Sequence, residues 1–176
     1  MASVTHDPAE IKRIVGQVQL MRGAFIGSYA QVEFLLADIC VKTWEIPEYA
    51  SLKAKFPYRA ESRIKAANAL FESNGRLAKY REEVRGLFQE LLRFEEVRDF
   101  MAHGLLRIDT RSQDFSVHMR MYRPVKGGLQ IGTLDMPVME LAGAVQQIVP
   151  FTHGLVTTFK RIYLEQNLQA FAAEIG

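Results

Sequence analysis

The hydrophobic period of this chain changes at Gly104, and that change restricts its fold more than any other feature. Before Gly104, apolar residues recur at helical spacing. Ile11, Ile14, Val15, Val18, Phe25, Tyr29, Val32, Leu35, Leu36, Ile39 and Cys40 form one stripe, and Leu77, Tyr80, Val84, Leu87, Phe88, Leu91, Phe94 and Met101 form another. After it, Phe115, Val117, Met119 and Met121 alternate with Ser116, His118, Arg120 and Tyr122, which is the period of a strand with one buried face. The chain is therefore expected to be mostly α, a four-helix bundle with a short antiparallel β-hairpin or three-strand insertion at about residues 105–133, before the last helix.

Punctuation residues set the expected boundaries. Asp7 as a cap, Pro8 at the first helical position and Glu10 three residues after Asp7 open a first helix that runs to about Trp44 as one helix or two nearly collinear ones. Gly16, Gly23 and Gly27 mark either a break in it or close packing of a neighbour. Ile46-Pro47 ends it. Pro57 opens a second helix to about Glu72, Ser73-Asn74-Gly75 breaks the chain, and a third helix runs from about Leu77 to Ala102. Gly104 is expected as the residue that ends that helix. Thr110 to Gln113 and Lys126-Gly127-Gly128 are expected turns, with Leu129 to Thr133 as a third strand. Asp135 and Pro137 are expected to start the last helix, on the stripe Leu141, Val145, Ile148, Phe159, Ile162 and Tyr163. Pro150 should kink that helix, because its ring removes a backbone bond and clashes with the preceding turn.

Composition narrows the function classes. The 176 residues suit one domain with one core, and residues 1–176 are read as a single domain. One cysteine, Cys40, permits no internal disulfide and no cysteine-built metal site. The four histidines show no zinc-ligand spacing. Neither a signal peptide nor an uninterrupted apolar span is read, so the expectation is a cytoplasmic protein with no membrane association, no metal and no cofactor. A net charge of +2 leaves any nucleic-acid argument to local patches.

One segment carries a candidate chemical centre: Arg98-Asp99-Phe100-Met101-Ala102-His103-Gly104. Arg98 follows Phe94 by four residues and Leu91 by seven. It thus falls on the apolar stripe, where a charge must find acceptors. Five residues at about 100° each put His103 roughly 140° from Arg98 on a continuous helix. Their approach needs a helix end or a second subunit. Histidine can accept or donate a proton near neutrality, with a reference pKa of about 6.5. Arginine stays charged and pairs with phosphate oxygens.

That segment resembles the R-x4-6-H motif of HEPN domains, in the Arg-Asn-x-x-Ala-His-Gly form, with Asp99 in place of Asn. "GAFIGSYAQVEFLLADI", with Glu33 among apolar residues, is similar to the family's first long helix. The resemblance covers the helical parts, about two thirds of the chain, and makes the hairpin an insertion. It implies a metal-independent endoribonuclease, a toxin or defence component acting as a homodimer whose motifs face one another. Arg98, His103 and Asp99 would be its catalytic residues. It also implies an antitoxin or other protein partner. The same resemblance allows a non-catalytic module for protein interaction or nucleotide or RNA binding, in which Arg98 bridges helices to Glu33 and His103 caps carbonyls.

Weaker signals lie elsewhere. Arg107, His118 and Arg120, with Arg111, Arg123 and Lys126 nearby, are candidate RNA contacts, although such residues more often form a solvated sheet face. Lys53, Lys55, Arg59, Arg63 and Lys65 read as a solvated basic face. His153 reads as a packed histidine, and His6 lies near the N-terminus. Gly127-Gly128 lacks the sequel of a phosphate loop.

Overall fold

A computed structural model describes residues 6–53, 57, 60–111 and 114–168. The protein is mostly helical with a three-stranded antiparallel sheet before the last helix, in the order α1 (Pro8–Trp44), α2 (Ala60–Glu72), α3 (Arg81–Leu92), α4 (Glu95–His103), β1 (Leu105–Asp109), β2 (Ser116–Val125), β3 (Gly128–Pro137) and α5 (Val138–Gln166). Short 3-10 turns at Pro47–Leu52 and Ala78–Tyr80 punctuate the helical part. The residues group into two compact units, one holding the chain up to Tyr29 together with Glu96–Pro150, the other holding Ala30–Glu95 and the chain from Phe151 onward.

In the first unit, the alternation of β2 determines the packing. Val117 and Met119 are buried on one face, where they join Met136 of β3, Ile14 and Val18 of α1, Phe100 and Met101 of α4, and Leu141 of α5 in one core cluster. The sheet order is β1-β2-β3. Its register pairs Leu105 with Arg120 and Arg107 with His118 on one side of β2, and His118 with Asp135, Arg120 with Thr133 and Tyr122 with Ile131 on the other. Directly paired residues share a face. The unburied face therefore carries Arg107, His118, Arg120, Tyr122 and Asp135.

The second unit is helical. Tyr49 is buried, and its hydroxyl accepts the Leu77 backbone N–H at 2.8 Å. The Phe71 ring meets Phe88 and Phe159 edge-on, with centroids 6.2 and 6.3 Å apart. Cys40 is buried, and burial pushes its thiol up to about 12, so it is a packing residue and not a nucleophile.

Asp7 caps α1 as expected, its carboxylate accepting the Ala9 N–H at 3.0 Å. α1 is one continuous helix of 37 residues, and a Cβ added at Gly16, Gly23 or Gly27 would meet open space, so these glycines mark neither a break nor a close approach. By length and composition α1 is also long and apolar enough to cross a membrane. Its stripe Val18, Phe25, Tyr29, Val32, Leu36 and Ile39 is buried, and 33 % of its most apolar stretch as a whole is buried.

Several boundaries differ from the sequence expectation. Leu77 precedes a 3-10 turn, and the third helix divides at Arg93-Phe94, whose N–H groups bond to Glu90 and Leu91, three residues back. α2 begins at Ala60, not Pro57; Tyr58 and Arg59 lie outside the described residues, as do Ser112 and Gln113 of the first expected turn. β2 continues to Val125 through Pro124. This costs nothing, because β1 pairs with β2 only as far as Arg120 and leaves that edge free. Asp135 and Pro137 belong to β3, and α5 starts at Val138 and stays helical through Pro150. Lys126-Gly127 forms a two-residue hairpin turn in which Gly127, at φ +91°, takes a conformation that side chains disfavour.

Candidate functional site

α4 ends on His103, and two hydrogen bonds and a close backbone approach mark that end. Gly104 donates its N–H to the Phe100 carbonyl at 2.8 Å. A Cβ on Gly104 would lie 2.4 Å from that same oxygen. The glycine is therefore required by close approach to its own helix, not by the left-handed conformation of the usual helix-ending glycine. The guanidinium Nε of Arg22, from α1, donates to the Met101 carbonyl at 2.7 Å, satisfying one of the carbonyls a helix end leaves open.

Arg98 and His103 part company on this helix, as five residues of helical rotation require. Arg98 is turned inward, its side chain only 15 % exposed. Its Nη1 donates to Asp99 at 2.8 Å, and its guanidinium lies over the Tyr29 ring, 4.8 Å from the centroid. Asp99 is thus engaged with Arg98. Glu33, the expected partner of Arg98, belongs to the second unit, where it lies 3.6 Å from Arg63. His103 is exposed.

His103 instead meets the sheet. With Leu105, Arg120, Met121, Tyr122 and Ile131 it lines a cavity of about 360 Å³ that contains no carboxylate among its lining residues. The Leu105–Arg120 pairing carries Arg120 to the helix end, since Leu105 follows His103 by only two residues. Tyr122, two residues along β2, is 70 % exposed. Tyr122 was not among the expected site residues, although the alternation that grouped His118 with Arg120 extends to it.

The other two expected RNA contacts line a second cavity, of about 690 Å³, on the same face. Arg107, Asp109, Arg111, Ser116, His118 and Asp135 surround it. Nδ1 of His118 is bonded to an Asp135 carboxylate oxygen across the β2–β3 pairing. Asp109 accepts from the side chain and the backbone N–H of Arg111, and that guanidinium holds its carboxyl well below the usual carboxylate range. Asp135 was missed because Asp-x-Pro reads as a helix start; its pairing with His118 exists only through the sheet register.

Most described arginines elsewhere are paired with a glutamate, whereas Arg13 bonds to Gln17 and Arg22 to the Met101 carbonyl. Arg63, Arg76, Arg81, Arg85, Arg93, Arg123 and Arg161 all lie within ion-pair distance of a glutamate. Arg107 and Arg120 have no carboxylate at that distance among the described residues, and they stand diagonally on adjacent strands of one face. The expected solvated basic face is neutralised where it is described, Lys53 by Glu45 and Lys65 by Glu61, while Lys55 and Arg59 lie outside the described residues. His153 is exposed, contrary to its reading as a packed residue.

Comparison with known protein families, with curated proteins and with solved structures finds no match to this chain.

Proposed function

We propose that the protein is a metal-independent endoribonuclease of the HEPN kind, working as a homodimer in a reducing cytoplasm, with His103 as its proton-transfer residue. The observation that carries this reading is the His103 cavity. It presents an exposed imidazole, an exposed aromatic ring and an arginine that has no carboxylate partner among the described residues, and no described residue lining it is a carboxylate.

The chemistry follows from those groups. The ribose 2′-oxygen attacks the neighbouring phosphorus, and the bond from phosphorus to the 5′-oxygen breaks. The products are a 2′,3′-cyclic phosphate and a 5′-hydroxyl. An imidazole takes the 2′-hydroxyl proton and a protonated imidazole supplies one to the leaving 5′-oxygen. Two copies of the chain facing one another provide both. Arg120 stabilises the charge that builds on the phosphoryl oxygens, and Tyr122 offers a face for a base. Arg98 and Asp99 act behind this centre. Their ion pair and the Tyr29 contact hold the helix that ends in His103. A toxin or defence component controlled by an antitoxin is the biological setting that the resemblance implies.

Purified protein should cut single-stranded RNA in the presence of EDTA, and sedimentation at high micromolar concentration should give a dimer. Absence of cleavage across varied strands would remove the enzyme reading, and a monomer would remove the two-copy mechanism.

One observation favours a second reading, a non-catalytic module for protein interaction or nucleotide binding. Arg98 is mostly buried against Asp99 and Tyr29, as a structural arginine would be. The exposure of His103 runs against it.

A further inference from the structure

We propose that Arg107 and the His118–Asp135 pair form a subsite for the phosphate next to the one cut at His103, so that the open sheet face reads a single-stranded RNA backbone over at least two phosphates. This subsite deepens the nuclease reading and rests on it for the position of the cut.

Strand register sets the spacing of the groups on this face. The Arg107–His118 pair lies two residues from the Leu105–Arg120 pair along both strands, a step of about 6.5–7 Å at the usual strand rise. Two arginines without carboxylate partners among the described residues therefore stand diagonally on adjacent strands of a common face, Arg120 in the His103 cavity and Arg107 in the next. Groups that bind one anion apiece at such a step suit a chain of regularly spaced negative charges.

The second cavity is built for an anion even though two carboxylates line it. Asp109 is occupied by Arg111 through its side chain and backbone, and Asp135 by the His118 ring. What remains to meet a ligand is the Arg107 guanidinium, the Ser116 hydroxyl and the second ring nitrogen of His118. Asp135 fixes the ring through Nδ1, which leaves Nε2 as the open position. A guanidinium and a hydroxyl donate to phosphate oxygens, and the imidazole donates through Nε2 when both ring nitrogens carry protons.

The face also sets the class of strand. Tyr122 lies beyond Arg120 on the side away from His118, so the order along β2 is phosphate, phosphate, base. A base can lie on an aromatic ring only when it is unpaired and splayed out, which selects single-stranded RNA over duplex.

The test is equilibrium binding of a fluorescent 2′-O-methyl tetranucleotide, which cannot be cut, to the full chain over a range of salt concentrations. Arg107→Ala should weaken binding by about tenfold and lower the slope of log affinity against log salt by about 0.7, the value for one lost phosphate contact on a single strand. Arg107→Lys should keep most of the slope, and an RNA duplex should compete poorly. Arg107 is exposed and has no ion-pair partner among the described residues, so its thermal melt should match the wild type. If Arg107→Ala binds with wild-type affinity and slope, or the wild type does not bind the strand, the subsite is overturned, whatever the cleavage assay shows. Binding that depends on Arg107 in a protein that cuts no RNA would keep the phosphate site and remove the nuclease reading.

Discussion

Replacing His103 by alanine is expected to slow RNA cleavage by about 10²–10⁴-fold, the usual contribution of a positioned acid–base group, and to leave the melting temperature within a degree or two of wild type. The two halves of this expectation have separate causes. His103 is exposed and lies at the last position of α4, so its imidazole contributes little packing. The same exposure puts its ring in a cavity with Arg120 and Tyr122, where a ribose and its phosphate can reach it. His103→Gln should be as inactive as His103→Ala, since an amide can hydrogen-bond but cannot exchange a proton near neutral pH. Rate assays across several RNA sequences, each with a parallel melt, check both. Cleavage by His103→Ala at the wild-type rate would end the catalytic role of this residue and leave the interaction-module reading.

Phe100→Ala is expected to produce the largest loss of stability in the first unit, about 3–5 kcal/mol, as for other fully buried phenylalanines. Phe100 is 1 % exposed. It joins α4 to the buried face of the sheet in the cluster that includes Val117, Met119 and Met136. Its ring lies beneath β3 at Gly132, where an added Cβ would come within 3.4 Å of it, and the Arg123 guanidinium covers it at 4.6 Å from the centroid. Truncation leaves a cavity at the point where the helix carrying His103 meets the strands carrying Arg120. Activity should therefore fall together with the melt, whereas in His103→Ala it falls alone. Denaturant unfolding followed by a probe in the sheet measures this. A loss below about 1 kcal/mol would show that the sheet does not depend on that contact.

The parts of the fold that could be read from sequence are those where one physical signal acts alone. The stripe from Ile14 to Cys40 and the Asp7-Pro8 start specify α1, and the alternation from Phe115 to Met121 specifies the buried face of β2. Where two signals compete, the reading fails. β3 has apolar residues of both parities, Leu129 and Ile131 exposed, Leu134 and Met136 turned inward, so its period is blurred, and Asp135 and Pro137 mimic a helix start. The division of the third helix at Arg93-Phe94 carries no proline or glycine. Leu91, Phe94, Phe100 and Met101 remain buried on either side of it, so the hydrophobic spacing gives no sign.

The candidate site was legible in the same partial way. Helical geometry alone separates Arg98 from His103, and alternation alone groups His118 with Arg120. That Arg120 and Tyr122 meet His103 depends on the Leu105–Arg120 pairing, a long-range register that no local pattern encodes. The inward turn of Arg98 follows from its place on the apolar stripe. Its ring partner, Tyr29, comes from a helix nearly seventy residues earlier.

The central claim is that this protein cuts RNA through the strand's own 2′-hydroxyl at His103. The most direct measurement is end-group analysis of a labelled single-stranded RNA incubated with wild-type protein and EDTA, beside the same strand carrying a single 2′-deoxy sugar at the cut. The account predicts a 2′,3′-cyclic phosphate and a 5′-hydroxyl from the first strand, and no cut at that position in the second. A 5′-phosphate product, or equal cleavage of both strands, would contradict it.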